Sequence, residues 1–348
     1  MNKIVLSLAA LCLALTAGAQ SKIKGFQIVE KPGDKEVAIL YNGRLLTAYT
    51  YYDSSRKPVL YPVNTVDGIP VTRGYPFRSV PGERTDHPHH TGIWFNYESV
   101  NGLDFWNNST DIPVAKRQHY GTIKHQDVLG KKAGPNKATL VTSAVWVRPD
   151  NKPLLTEVTT FTFTVTGNSF IIDRKANLTA TDTTVVFKDV KDGVVAIRVS
   201  RELEMPSKDA TNFVDDKGNV TTVAKTSNEG VTGMYHGSTG SRGDSVWGTK
   251  GPWAMLSGKK EGKDITVGII DHPYNIGYPT YWHARGYGLF AANPLGRKVF
   301  SNGKEELNFT LQKGESATFQ YRFVIQSGKQ LTAKEMSALA AAFAKKQK

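Results

Sequence analysis

One cysteine, Cys12, is the only thiol in this 348-residue sequence, and it lies within a segment that reads as a signal peptide. The mature chain therefore has no cysteine. This excludes disulfides, a thiolate nucleophile and a cysteine-ligated metal site, although an oxidising compartment would permit disulfides. Stability must come from a buried core, which a chain of this length can build. Long apolar runs are equally scarce. The one candidate, Ile4 to Leu15, is shorter than the roughly 20 residues that span a bilayer. Lys3 precedes it, and Ala17-Gly18-Ala19 forms a small-x-small cleavage site before Gln20. These features predict a signal peptide over 1–19 and one mature domain over 20–348. The protein is expected to be periplasmic or secreted, bacterial in origin by that signal's form, and not embedded in a membrane.

Other absences narrow the chemistry. No Gly-x-Ser-x-Gly elbow, Walker loop or dinucleotide fingerprint follows a strand and opens a helix, so no nucleotide cofactor is expected. The net charge is +13, from 44 Lys and Arg against 31 Asp and Glu. This excess is scattered, with Lys345-Lys346-Gln347-Lys348 the one tight run. A nucleic-acid partner needs a basic stripe or a known module, and neither is present. There is no internal repeat and no low-complexity linker.

What is present is strand periodicity. Phe161, Phe163 and Val165 alternate with threonines, Gly167-Asn168 turns, and Phe170 and Ile172 begin a return strand. Val37, Ile39 and Tyr41 lead into Asn42-Gly43, the strongest short hairpin signal, with Leu45 and Thr47 beyond it. Leu307, Phe309 and Leu311 alternate, Lys313-Gly314-Glu315 turns, and Phe319, Tyr321 and Phe323 alternate back, predicting a third hairpin. A single helix follows a capping box at Thr332 and Glu335, with Met336, Leu339, Ala340 and Phe343 on one face. The pattern predicts an all-β fold, an antiparallel β-sandwich or supersandwich with one C-terminal helix.

Two segments break the alternation, residues 58–106 and 271–297, and long irregular segments in a compact domain are commonly functional. The first contains Asp86-His87-Pro88-His89-His90. If the backbone is extended there, as Pro88 favours for His87, the His87 and His89 side chains share a face and His90 takes the other. Two such imidazoles can hold a divalent metal or share general acid/base work, with Asp86 fixing a tautomer. The second segment holds Asp271-His272-Pro273, Tyr281-Trp282-His283-Ala284-Arg285 and Asn293. The expectation is that His272, His283 and Arg285 join the first cluster. Arg73 and Arg84 are candidates to clamp substrate oxygens. Trp94, Trp106, Trp247, Trp253 and Trp282 are candidate stacking platforms, of which one or two are expected at the site. His236 reads as a loop histidine.

Several blocks, Tyr61-Pro62-Val63, Asp67 through Pro76, Asp86 through His90, Gly102 through Trp106, Asp271-His272-Pro273 and Tyr287 through Pro294, together resemble the family labelled methane oxygenase PmoA. That resemblance covers about residues 58–297 and implies an exported bacterial protein of unassigned biochemistry, associated with sugar catabolism. More loosely, the chain resembles the galactose-mutarotase-like supersandwich, which places histidines and a carboxylate on a concave sheet face to move protons on a sugar ring. The combined expectation is an exported carbohydrate-active enzyme acting on a small saccharide or glycan by hydrolysis, elimination or isomerisation. The assigned catalytic residues are His87, His89, His283 and Asp86. Arg73, Arg84, His90, Trp94, His272, Tyr281, Arg285 and Asn293 are assigned to substrate, and His87 and His89 to a possible divalent metal. A non-catalytic carbohydrate-binding protein of the cell envelope is the alternative.

Overall fold

The computed structural model describes residues 24–223 and 226–345. The predicted signal peptide lies outside the described residues. Strands dominate, as the alternation requires, and two eight-stranded sheets carry the fold. Across the first sheet the strands run Phe26–Lys31, Glu36–Tyr41, Arg44–Thr50, Val59–Val63, Ile93–Tyr97, Gly193–Arg198, Leu289–Asn293 and Tyr281–Arg285. Across the second they run Met234–Gly237, Trp253–Lys260, Lys263–Asp271, Ser316–Ser327, Ser169–Ala180, Pro153–Thr166, Lys137–Val147 and Thr122–Ala133. Neighbours pair antiparallel throughout, which fits the predicted fold class.

Two of the three predicted hairpins form as read. Tyr41 pairs with Arg44 around Asn42 (φ 51°) and Gly43 (φ 78°), two successive left-handed positions that Asn and Gly tolerate. Thr166 pairs with Ser169 around Gly167 (φ 56°). The third is corrected. The turn at Lys313-Gly314-Glu315 exists, with Glu315 N–H donating to Gln312 O at 2.9 Å. Its two arms do not pair with each other, however. Phe309–Leu311 pairs with Val185–Phe187, while Ser316–Ser327 lies between Lys263–Asp271 and Ser169–Ala180. The turn hands the chain from a short outlying ladder into the middle of the second sheet.

The inward faces of both sheets meet in one core. Phe95 of the first sheet packs against Phe319 (5.7 Å) and Trp146 (6.2 Å) of the second. An ion pair is enclosed there: Arg174 Nη2 donates to Glu157 Oε1 at 2.6 Å, and Trp146 Nε1 donates to Glu157 Oε2 at 2.9 Å. The Arg174 guanidinium lies 4.8 Å from the Phe95 ring, so a charge pair bridges the two layers with its lone pairs satisfied.

The predicted helix is Ala333–Ala344, and its capping box is made in both directions between Thr332 and Glu335. Met336 and Phe343 turn inward onto Trp253, Met255, Ile270 and Val324 of the second sheet. The helix thus covers that sheet's outer face. This leaves the outer face of the first sheet for chemistry.

Candidate functional site

Alternation along the first sheet sends every second side chain away from the core. Register then aligns the outward set. Trp94 pairs with Ala196, Ala196 with Ala291, and Ala291 with His283, so these four form one row across four strands. One step along the strands, Arg198, Leu289 and Arg285 form a second row. The histidine loop enters just before the strand Ile93–Tyr97 and folds over these rows.

Arg73 holds that loop. It is 1% exposed. Its Nη1 donates to the carbonyls of Arg84 (3.3 Å) and Asp86 (2.8 Å) and to Asp86 Oδ1 (2.7 Å). Its Nη2 donates to the carbonyls of His87 (2.9 Å) and His90 (3.1 Å). The backbone is therefore not extended, and the predicted face assignment is corrected. His90 N–H closes a turn on His87 O at 2.9 Å with Pro88 as its second residue, where the fixed proline φ suits it. His87 stacks flat on His90 (4.7 Å, 3°), whereas the His87 and His89 rings stand at 78°. His87 also takes a left-handed φ of 45°, an uncommon conformation for a side-chain-bearing residue and one that functional sites enrich.

Asp86 joins the loop to the sheet. Its Oδ1 accepts from Arg73 and from Arg198 Nη2 (2.6 Å), and its Oδ2 lies 3.0 Å from His87 Nδ1. Burial opposes ionisation of Asp86, but the His87 hydrogen bond and the Arg198 and Arg73 guanidiniums outweigh it. The carboxyl is held well below the usual carboxylate range. With Asp86 ionised, His87 Nδ1 carries the proton and Nε2 presents a lone pair; the ring is 40% exposed. Tyr287 also lies parallel to His87, with ring centroids 5.0 Å apart. Its ring also lies 4.9 Å from the Arg198 guanidinium.

His90 is buried. Arg198 Nη1 lies 3.2 Å from its Nδ1, and because guanidinium only donates, that nitrogen accepts and Nε2 bears the hydrogen. Among the described residues this Nε2–H has no partner. Burial, and then His89 and Arg198, push the His90 imidazole well below its ordinary value, so it is neutral. His89, half-buried, is pushed the same way by burial and by Lys57. Lys57 itself is buried, donates to His89 O at 2.7 Å, and is brought down to about 7 by burial despite the opposing pull of Asp104.

His283 arrives from the edge strand, 3% exposed, with Nδ1 3.4 Å from Asp192 Oδ1. Burial first, then Lys191, Arg285 and His87, push it down to about 3, so it too is neutral. Tyr287 of the second segment stacks on His87 of the first at 5.0 Å, so the two histidine segments converge. Asp192 has company. Glu98 and Asp104 also flank this face; burial raises all three carboxyls, and repulsion adds to it at Glu98, from Asp192 and Asp104, and at Asp192, from Asp104.

Several of the other predicted substrate contacts are corrected. Arg73 spends both terminal nitrogens on the loop. Arg84 is buried against Glu204 (Nε to Oε2, 2.8 Å), which Arg201 also engages. Asn293 has both side-chain atoms saturated: Nδ2 donates to Val190 O (3.0 Å) and Lys191 O (2.7 Å), and Oδ1 accepts from Leu295 N and Gly296 N. It clamps the segment before Asp192. Trp94 is 0% exposed, covered by the stacked His90 at 5.2 Å, and is a support, not a platform. His90 is likewise a buried link between Trp94 and Arg198. His272 lies beneath the C-terminal helix with its ring against Phe343 at 4.9 Å, away from the histidine loop. Its neighbour Asp271, pushed up to about 7 by burial, accepts from Asn275 and Thr280 in the same turn. Tyr281 closes the sheet edge, its hydroxyl 3.1 Å from Glu305. His236 sits in the strand Met234–Gly237, not in a loop. Arg285 is exposed and makes no ion pair among the described residues. It lines an open groove of about 920 Å³ with Asp86, Tyr287 and Trp247.

Sequence reasoning missed Arg198, Tyr287, Lys57, Asp192, Glu98 and Asp104. Arg198 had a signal: it ends the apolar run Val194-Val195-Ala196-Ile197, where a charge is costly to bury without partners. As for a metal at His87 and His89, among the described residues no three His, Asp or Glu side chains converge as a ligand set, and His87 Nδ1 is engaged by Asp86.

No curated protein matches the chain. Among solved structures, galactose 1-epimerase from Lactobacillus acidophilus NCFM is 12% identical, with a TM-score of 0.37 over 89% of this chain and 100% of that one. A putative aldose 1-epimerase from Escherichia coli K12 is 9% identical, with a TM-score of 0.30 over 86% and 98%. The galactosidase domain of an alpha-galactosidase-sucrose kinase is 11% identical, with a TM-score of 0.38 over 86% of this chain, which spans 41% of its length. The family comparison does not extend to the PmoA label that the motif blocks resemble. Residues 36–341 match the profile of a family of unknown function, DUF6807, and the chain belongs to that family.

Proposed function

We propose that this protein is a carbohydrate-active enzyme, exported by its N-terminal segment, that transfers protons on a saccharide with His87 as the acid/base group. One observation carries the reading: Asp86 is pinned through Oδ1 by Arg73 and Arg198 and presents Oδ2 to His87 Nδ1, so the exposed imidazole is held in one tautomer with Nε2 free. A carboxylate that fixes the tautomer and stabilises the imidazolium is the usual partner of a histidine general base. Proton abstraction by Nε2 places positive charge on the ring, facing Asp86. The same nitrogen then returns the proton. His283, on the edge strand, and Asp192, just before the strand Gly193–Arg198, lie 3.4 Å apart and complete a polar floor. Such catalysis contributes roughly 10²–10⁴ in rate. No step is routed through a metal.

The test is a screen of mono- and oligosaccharides for hydrolysis, elimination and isomerisation with the mature protein. Turnover should fall roughly 10²–10⁴-fold in His87→Ala with the circular-dichroism spectrum and Tm preserved. Activity undiminished in that variant ends the assignment. Saturable sugar binding without product in the wild type supports the binding-protein alternative, which would use the same groove.

A further inference from the structure

We infer that the substrate is a neutral oligosaccharide of at least two rings, and that a second ring lies on Trp247 in the groove beyond Tyr287. This rests on the saccharide reading above and specifies which saccharide that site takes.

Three observations lead to it. The groove begins at Asp86 and Tyr287, the two residues that hold His87, and runs away from the histidine loop past Arg285 and Gly286 to Trp247. Its volume of about 920 Å³ lies near the top of the roughly 300–1,000 Å³ that small-molecule sites occupy, more than one sugar ring needs. Second, all six tryptophans lie in the described residues. Trp94, Trp106, Trp146, Trp253 and Trp282 are buried, which leaves the partly exposed Trp247 as the tryptophan that lines the groove. An aromatic face with a polar rim is what the C–H face of a sugar packs against.

Third, the charge of the lining selects among sugars. The chain as a whole is +13, yet the groove carries Arg84, Lys208 and Arg285 against Asp86, Asp209 and Asp244. The signs balance. Arg84 and Asp86 are already paired inward, and the remaining two cations and two carboxylates are balanced as well. Asp244 Oδ1 would lie 3.7 Å from a Cβ at Gly286, so an acceptor stands beside the Arg285 donor. Donors and acceptors in equal number, without net charge, match hydroxyls. A uronate or sulfated glycan would call for an excess of cations at this spot.

The experiment measures affinity by calorimetry for gluco- and galacto-oligosaccharides of one to five rings and for the matching uronate series, with the full mature chain. The expected result is an affinity gain of at least tenfold from one ring to two or three, no preference for uronates, and loss of most of that gain in Trp247→Ala. Because Trp247 also packs on Phe300 at 5.3 Å, the exposed Arg285→Ala and Asp244→Ala variants serve as a second reading and should each reduce the gain. Equal affinity for one ring and three, or an unchanged gain in all three variants, overturns this inference and leaves the saccharide assignment standing. Tighter binding of uronates overturns its neutral class. Absence of binding to every sugar overturns both.

Discussion

At the scale of single residues, the site is a problem of keeping imidazoles neutral next to guanidiniums. His283 shows the consequence for stability. Its folded value is depressed to about 3, against about 6.5 for a free imidazole, so between those values the unfolded chain binds a proton that the folded chain refuses. Stability from this group is therefore complete above pH 6.5 and is lost as pH falls toward 3, at no more than about 1.4 kcal/mol per pH unit. Asp271, pushed up to about 7, works in the opposite sense over part of the same window, taking up its folded-state proton as the pH falls. The difference between wild type and His283→Gln isolates the histidine. Urea denaturation at pH 7, 6, 5 and 4 should show the wild type losing stability relative to the variant below pH 6. A constant difference across that range would contradict the burial-driven shift.

Residue chemistry was legible where the residue type itself was unusual. The cluster at Asp86 to His90 stands out in the sequence, and it lies at the centre of the candidate site. Which residue does what was not legible. Asn293 and Arg73 look like ligands for a substrate, yet each spends its hydrogen bonds on the backbone of a distant segment. Asp192, Glu98 and Asp104 look ordinary, because their distinction comes from being buried near one another, and they are separated by up to 94 positions in the chain.

At the scale of elements, the local signals held. Asn42-Gly43 and Gly167-Asn168 demand particular backbone conformations within two residues, so the sequence specifies them without help. The capping box at Thr332 and Glu335 is equally local, and Thr332→Ala should cost about 1 kcal/mol in a chemical denaturation midpoint, since Thr332 Oγ1 accepts from Glu335 N–H at 3.2 Å. A change within error would mean that water satisfies that amide equally well. The failed third hairpin is the instructive case. Alternation identifies a strand and a turn identifies a reversal, but neither names the partner. Phe309–Leu311 finds its partner in Val185–Phe187, more than a hundred residues earlier. Register in a sheet is decided by which apolar faces can be buried together, and that is a property of the assembled layers.

At the scale of the whole molecule, the two layers divide the labour. The second sheet is covered on its outer face by the C-terminal helix, while the first leaves its outer face to the histidine loop and the groove. Removing residues after Leu331 should uncover Trp253, Met255, Ile270 and Val324, a contiguous apolar patch that soluble proteins avoid exposing. The truncated protein is expected to bind a hydrophobic dye and to unfold at a lower temperature. Unchanged dye binding and Tm would show that the helix is dispensable. The same division explains why fold class could be read from periodicity while the site could not: periodicity records which side of a strand faces inward, and the site is assembled on the side that faces out.

The Arg73 clamp has one more implication. A five-residue loop carrying three histidines is held by the Arg73 guanidinium, which reaches four backbone carbonyls and one carboxylate, and further by Arg198 and Lys57. The loop's freedom was given up when the chain folded, so a ligand arriving at His87 meets a surface that is already preorganised. Association there is governed by encounter and desolvation, with no ordering step to slow it, and a substrate that fits poorly cannot improve its fit by remoulding the loop. On the proposed saccharide reading, discrimination between sugars would then be a matter of shape at a wall set before any ligand arrives.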